Sequence, residues 1–533
     1  MTNRTSMRKI VLTGLLSLLA GFCGVTESAM AQAQTQTQTQ TSAVPTEESL
    51  RELIEAARKQ WNVPGLAVAV VKDDQVILSS GFGVRELGKP DAVDGDTVFA
   101  IASNSKAFTA TAIAMLQEEG KLQFDDRVQK HLPWLQLYDP WVSAEIRVDD
   151  LLCHRSGLGT FSGDLLWWGT PYSPEDVLRR TRHLPAKGRF RSDYGYSNLM
   201  FLAAGEVIRS ASGQPWGDFV QQRILTPLEM KRTVTSVRAL ETHGNVATPH
   251  KSLVDSVKPI PWFNWDTMAA AGGIISSSSD MAKWMKVQLN RGKIDDQKRL
   301  FSESTSHRLW SPLTIIPVSE GARKRTPTTH FRSYGLGFSL ADYKGRMTVG
   351  HGGGYDGMYS YLLMVPEERL GVVVLTNSMT GISTPLAMTI VDRYLGGEQT
   401  DHLGPGVERD RKDREAFYQR IKEATTPKVT GTSPSHPLES YAGKFQCPLY
   451  GDATVTVEND KLVFRLLPFP ELVADLTHLH YDTWVIRWRK EFAWFAEGTI
   501  QFVPDADGKF QDLRLNVPND DLWFDELKLH RVE

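Results

Sequence analysis

Residues 99–120 read FAIASNSKAFTATAIAMLQEEG. The second half is rich in Ala, Leu and Met, which favour a helix. The first half places Ser103, Asn104, Ser105 and Lys106 where that helix should begin. Ser103 and Lys106 are three apart, so on a helix they share a face and their side chains meet. A helix start also offers unpaired backbone N–H groups and the positive end of a dipole, a field that stabilises a developing anion. A lysine desolvated behind the serine would lose its proton below its usual pKa of about 10.4 and help activate the hydroxyl. The spacing alone decides little: Ser6-Met7-Arg8-Lys9 repeats it in the leader. An N-cap serine with a solvated lysine one turn on would explain it equally well.

Two further segments add weight. Phe190–Asn198 reads FRSDYGYSN and precedes the apolar run Leu199–Ile208. Tyr196 and Asn198 thus sit on one turn, a phenol for acid–base work and a carboxamide to hold a substrate amide. Val349–Tyr355 reads VGHGGGY. Its glycines would let a substrate backbone lie against the end of a strand.

In this order and spacing, Ser103-x-x-Lys106, Tyr196-x-Asn198 and His351-x-Gly353 together resemble the serine penicillin-recognising superfamily. That superfamily includes class C β-lactamases, D,D-carboxypeptidases, D-aminopeptidases and related esterases. Leu151–Leu158 (LLCHRSGL), Ala271–Ile275 (AGGII) and Asp280–Trp284 (DMAKW) extend the resemblance over roughly 47–397. It implies Ser103 as the acyl-forming nucleophile, with Lys106 and Tyr196 sharing the proton transfers. Asn198 would orient the substrate amide, and the backbone N–H groups of Ser103 and Gly354 would form the oxyanion hole. His351 and Gly353 complete the substrate-binding set. His351 stands where relatives carry a lysine, and a neutral imidazole supplies no fixed charge for a substrate carboxylate. No metal or other cofactor is implied. The expected activity is a peptidase or amidase acting on linear oligopeptides, including D-amino-acid-containing or linearised cyclic ones. The alternatives are a carboxylesterase, a β-lactamase, or a cell-wall sensor that acylates without turnover.

The rest of the chain fits an exported protein. Arg4, Arg8 and Lys9 precede the apolar run Ile10–Val25, and Ala29-Met30-Ala31 is a small-x-small cleavage site. Residues 1–31 therefore read as a signal peptide, with a periplasmic or secreted product and no stable membrane anchor. Residues 32–46 are a Gln/Thr-rich linker. A formal net charge of −3, from 60 basic and 63 acidic residues, leaves no basic field for nucleic acid. Cys153 and Cys447 read as separate buried thiols.

Residues 47–400 predict an α+β hydrolase domain. Strands at 65–71 and 75–80 near its start, and at 347–350, 359–365 and 371–376 near its end, flank helices at 174–182, 199–210 and 280–289. The plan is one antiparallel sheet, closed by the two ends of the domain and flanked by helices. Residues 401–437 read as a charged helix and linker. In residues 438–533, short alternating runs such as ATVTVE, KLVFRLL and TWVIRW predict an antiparallel β-barrel or sandwich. This part resembles the barrel appendages of such hydrolases, which implies a role in narrowing the cleft or in building oligomers. His478 and His480 lack a third metal ligand. Trp167 and Trp168 read either as an aromatic wall of the cleft or as core.

Overall fold

The computed structural model describes residues 44–532. The signal-peptide reading and nearly all of the Gln/Thr-rich stretch lie outside the described residues.

The strands GLAVAVVK (Gly65–Lys72) and LGVVVLT (Leu370–Thr376) are almost continuously apolar. They pair antiparallel with Leu66 opposite Thr376 and Val70 opposite Val372, joining the two ends of the domain. Successive side chains on a strand point to opposite faces. Ala67, Ala69, Val373 and Leu375 face one core, and Leu66, Val68, Val372 and Val374 face another. With both faces covered, the strands need no polar alternation.

These two strands lie inside an eight-stranded sheet. Its order is Gln75–Gly83, Gly65–Lys72, Leu370–Thr376, Met358–Val365, Arg346–Tyr355, Ser339–Tyr343, Arg332–Tyr334 and Thr314–Ile315. One face is covered by the helices Glu47–Gln60 and Ser383–Leu395. Leu50, Ile54 and Ala57 of the first helix form its buried stripe. The other face carries the helical part of the domain, centred on Ser105–Glu118 and Asn198–Ser212.

The strand expected at 347–350 is longer and takes in the glycine-rich segment. Arg346–Tyr355 runs through His351-Gly352-Gly353-Gly354, with Gly353 opposite Ser360 and Gly354 opposite Tyr359. Within 401–437 the charged helix covers Leu403–Thr425.

From Gly443 to Arg531, eight strands form a closed antiparallel barrel in simple sequential order. Gly443–Cys447 pairs both with Gly451–Glu458 and with the last strand, Leu529–Arg531. The barrel is tied to the hydrolase domain by an aromatic socket. Trp168, from the hydrolase domain, stacks on Phe263 at 4.7 Å and meets Phe469, Phe492 and Phe495 of the barrel edge-on at 5.3–5.4 Å. Cys153 and Cys447 are both buried and free.

Candidate active site

Phe99-Ala100 forms a short ladder with Ile275-Ser276, after which the chain turns sharply at Ala102. Ala102 adopts φ +46, unusual for a residue with a side chain. Strain of this kind persists only where the surroundings hold it. Ser103 follows in the 3-10 turn Ala102–Asn104, and the α-helix begins at Ser105. The turn is pinned from two sides. Asn104 Nδ2 donates to Ser360 Oγ at 2.9 Å, and Ser360 Oγ donates to the Ile101 carbonyl at 2.8 Å. Ser105 Oγ accepts from the Ile274 N–H at 3.0 Å. Gly353 must be glycine for this approach, because a Cβ there would lie 2.3 Å from the Ile101 carbonyl oxygen.

Lys106 is fully buried. Its Nζ lies 3.0 Å from Ser103 Oγ, 2.7 Å from Asn198 Oδ1 and 2.9 Å from the Ala271 carbonyl. Burial pulls its pKa down to about 7, opposed by the charge of Asp164.

Asn198 is the first residue of the Asn198–Ser212 helix. Its Nδ2 donates to Asp164 Oδ2 at 2.7 Å. An ionised carboxylate only accepts hydrogen bonds, so Asp164 determines which end of the Asn198 amide faces Lys106. Asp164 is itself buried. That raises its pKa to about 7, against the pull of its hydrogen-bond donors and of Lys106.

Tyr196 lies beside this group, with the Lys106 ammonium 4.8 Å from its ring centre. Its ring stacks on His154 at 4.1 Å, and His154 Nδ1 accepts the Ser197 N–H at 3.0 Å. Burial holds the Tyr196 phenol well above its usual pKa, although the neighbouring Ser103 hydroxyl pulls the other way. The phenol therefore stays protonated in the resting site.

His351 is committed on both sides. Its Nε2 accepts from the Tyr334 hydroxyl at 2.7 Å, and its Nδ1 donates to the Gly352 carbonyl at 2.5 Å. Burial drops its pKa to about 3, with the Lys106 charge acting the same way, so the ring is neutral. It is not placed to supply positive charge to a substrate carboxylate.

One cleft of about 450 Å3 contains Ser103, Tyr196, Asn198, His351, Gly353 and Gly354 on its walls. Lys106 stands behind Ser103. All the side chains read from the sequence thus converge. The sequence reading missed Asp164, the Ala271 carbonyl and Tyr334. A lone aspartate at the start of the short 3-10 turn Asp164–Leu166 and a backbone carbonyl carry no motif. Trp167 and Trp168 line the cleft and are also core, buried at 4% and 0% exposure.

A model of the Beta-lactamase family matches residues 50–394. The chain belongs to this family. A domain of unknown function (DUF3471) matches residues 427–531, which contain the barrel. Among relatives of this Beta-lactamase family member, the unguisins hydrolase ungD' of Aspergillus campestris is 27% identical over 450 residues, 79% of each chain. Protein flp of Staphylococcus aureus (strain MW2) is 26% identical over 334 residues, 62% of this chain and 63% of that one.

Two solved structures share the fold. The octameric penicillin-binding protein homologue from Pyrococcus abyssi aligns over 91% of this chain and 99% of its own, with a TM-score of 0.58 and 22% identity. The D-stereospecific amidohydrolase from Streptomyces sp. aligns over 62% and 94%, with a TM-score of 0.50 and 24% identity. No helix among the described residues is long and apolar enough to cross a membrane.

Proposed function

We propose that this chain is an exported serine hydrolase that cuts amide bonds of linear oligopeptides through an acyl-enzyme on Ser103. The observation that carries the reading is the set of three contacts around Lys106 Nζ. An ammonium can donate to all three neighbours. A neutral amine can donate its two N–H bonds to Asn198 Oδ1 and the Ala271 carbonyl and turn its lone pair toward the Ser103 hydroxyl. The site therefore accommodates both states of a general base without rearrangement.

In this reading Ser103 loses its proton to Lys106 as Oγ attacks the scissile carbonyl. The resulting oxyanion lies between the backbone N–H groups of Ser103 and Gly354. The Tyr196 phenol, kept neutral by burial, donates its proton to the departing amine and is reprotonated by the Lys106 ammonium. The amine leaves and the Ser103 ester remains. Water then attacks that ester, with Tyr196 and Lys106 relaying its proton back to Ser103. Asn198 holds the substrate amide, and Asp164 is a positioning residue acting through Asn198. The names of two similar proteins, a hydrolase of unguisins and a D-stereospecific amidohydrolase, support an amide substrate.

The test is mass-spectrometric. The purified chain and its Ser103→Ala variant would each be incubated with short linear peptides containing L- and D-residues. The expected result is cleavage by the parent only, at a rate at least about 10³-fold above the variant, with a transient acyl mass on the tryptic peptide bearing Ser103. Equal cleavage by both proteins would sink the mechanism.

A further inference from the structure

The Arg346–Tyr355 strand gives the cleft over Ser103 one side chain able to carry charge, His351. An imidazolium there would attract a substrate carboxylate, and an imidazole would not. The two ring nitrogens have different partners. A carbonyl only accepts, so the 2.5 Å contact with the Gly352 carbonyl keeps a proton on Nδ1. Nε2 of the neutral ring is then a lone pair, and the Tyr334 hydroxyl donates to it at 2.7 Å.

Tyr334 ends the strand Arg332–Tyr334 and is fully buried. Its backbone is held by the edge of the sheet: the Leu313 N–H donates to its carbonyl at 3.0 Å, and Thr314 lies opposite it. Its ring meets that of His154 at 4.4 Å, inclined by 63°. Burial holds its phenol well above the usual pKa, so the hydroxyl keeps its proton. Among the described residues that hydroxyl has one hydrogen-bond partner, His351. His154 is not a second acceptor. Its Nδ1 already takes the Ser197 N–H at 3.0 Å, and a neutral ring then carries its own proton on Nε2.

These bonds discriminate between the two states of His351. The neutral ring satisfies both partners. An imidazolium carries N–H on both nitrogens, so two donors would face each other across the 2.7 Å gap to Tyr334, with no other acceptor for the phenol proton among the described residues. The remaining groups around the ring do not reverse this. The Lys106 charge disfavours an imidazolium, and Tyr196, its ring 6.1 Å away, is a neutral phenol. Asp164 and Asp521 line the same cleft, and neither bonds to His351.

We infer that Tyr334 is a positioning residue that, by donating to His351, keeps this wall of the cleft uncharged and so directs Ser103 to substrates with no carboxylate beside it, such as the interior of a peptide rather than its free C-terminus. The substrate part of the inference rests on the proposed peptide hydrolysis. The lock on His351 does not, and the test separates the two.

One acetylated peptide, ending either in a carboxamide or in a free carboxylate, would be titrated from pH 4.5 to 8 into the full chain carrying Ser103→Ala, with and without Tyr334→Phe. Tryptophan fluorescence would report binding. The α-carboxyl, with a usual pKa of about 3.3–3.7, stays mostly ionised over this range. Comparing the two proteins at each pH cancels the changes at Lys106, Asp164 and Asp521, all of which titrate near 7. Tyr334→Phe removes the bond that favours the neutral ring, so His351 takes a proton more readily as pH falls. The expected result is a carboxylate-to-carboxamide affinity ratio equal in the two proteins at pH 8 and at least about threefold higher in Tyr334→Phe at pH 4.5. Adding His351→Gln should abolish that excess. Nitrogen-15 spectra of histidine-labelled protein, assigned with His351→Gln, should show His351 Nε2 unprotonated at pH 7 and its protonation midpoint about one unit higher in Tyr334→Phe. An unmoved midpoint in folded Tyr334→Phe overturns the lock, and an unchanged affinity ratio overturns its role in selection. Nε2 protonated at pH 7 with Tyr334 in place overturns the lock without any variant. Cleavage retained by Ser103→Ala overturns the serine mechanism instead and leaves the His351 spectra to decide the lock.

Discussion

At Lys106 two influences oppose each other: burial favours the neutral amine, and the Asp164 carboxylate favours the ammonium. With the Lys106 pKa near 7, the neutral, base-competent fraction grows as pH rises through that value. We expect kcat/KM to rise along an acid limb centred there when measured from about pH 5 to 10. Lys106 and Asp164 are close enough to titrate as a pair, so the limb belongs to both groups. Asp164→Asn removes the charge that raises the Lys106 pKa, so the limb should move to lower pH. The plateau should also fall, because the asparagine no longer dictates which end of the Asn198 amide faces Lys106. A purely structural role for Asp164 would lower activity without moving the limb. Tyr196→Phe keeps the ring stacked on His154 but removes the proposed acid for the leaving group. It should lower kcat on amides by about 10²–10⁴ and cost much less on esters with good leaving groups, as steady-state rates on matched amide and ester substrates would show.

Among the elements, the Arg346–Tyr355 strand and the Ala102–Asn104 turn form one device. The strand carries His351 and Gly354, the proposed oxyanion-hole partner of Ser103, and its closeness to the turn depends on the missing side chain at Gly353. Gly353→Ala pushes a methyl group into the Ile101 carbonyl and Ser360. The expected outcome is a folded protein, by circular dichroism, whose acylation is at least about tenfold slower, since ångström-scale misplacement of reacting groups is costly. The sequence reading ended the strand at 350 and set the glycines at its end, because a run of glycines carries no period. The tryptophans at 167 and 168 were ambiguous for a similar reason. Either role needs an apolar residue, and only the packed structure shows Trp168 inside an aromatic socket.

At the scale of the whole molecule, the larger of the two cores runs continuously from the helical face of the sheet into the interior of the barrel. The Arg420–Asp520 pair ties the Leu403–Thr425 helix to the barrel, but its side chains are 47% and 68% exposed. Such a pair contributes about 0–1 kcal/mol. Trp168 dominates the docking: truncation to Ala should cost about 3–5 kcal/mol. It should appear as a lower unfolding midpoint and faster proteolysis in the 426–437 linker. The parent should unfold in one transition followed by both tryptophan fluorescence and activity. Two separated transitions would show that the barrel is an independent appendage rather than a wall of the site.

The sequence by itself indicated the α+β class and an antiparallel C-terminal β domain, barrel or sandwich, because alternation along a strand is carried by neighbours in the chain. The pairs Ser103/Lys106 and Tyr196/Asn198 drew their meaning from the family resemblance of the three motifs together, since the spacing of any one decides little. Closure of the sheet by the two ends of the domain was also expected from the sequence, whereas the register, Leu66 opposite Thr376, came only from the structure. Tertiary structure alone decided that Asp164 orients Asn198, that the Ala271 carbonyl completes the lysine's shell, and that Trp494 and Asp521 line the same cleft as Ser103. These groups are single residues or backbone atoms far from the serine in the chain. No period marks them, and only the packing of the barrel against the sheet brings them into one cavity.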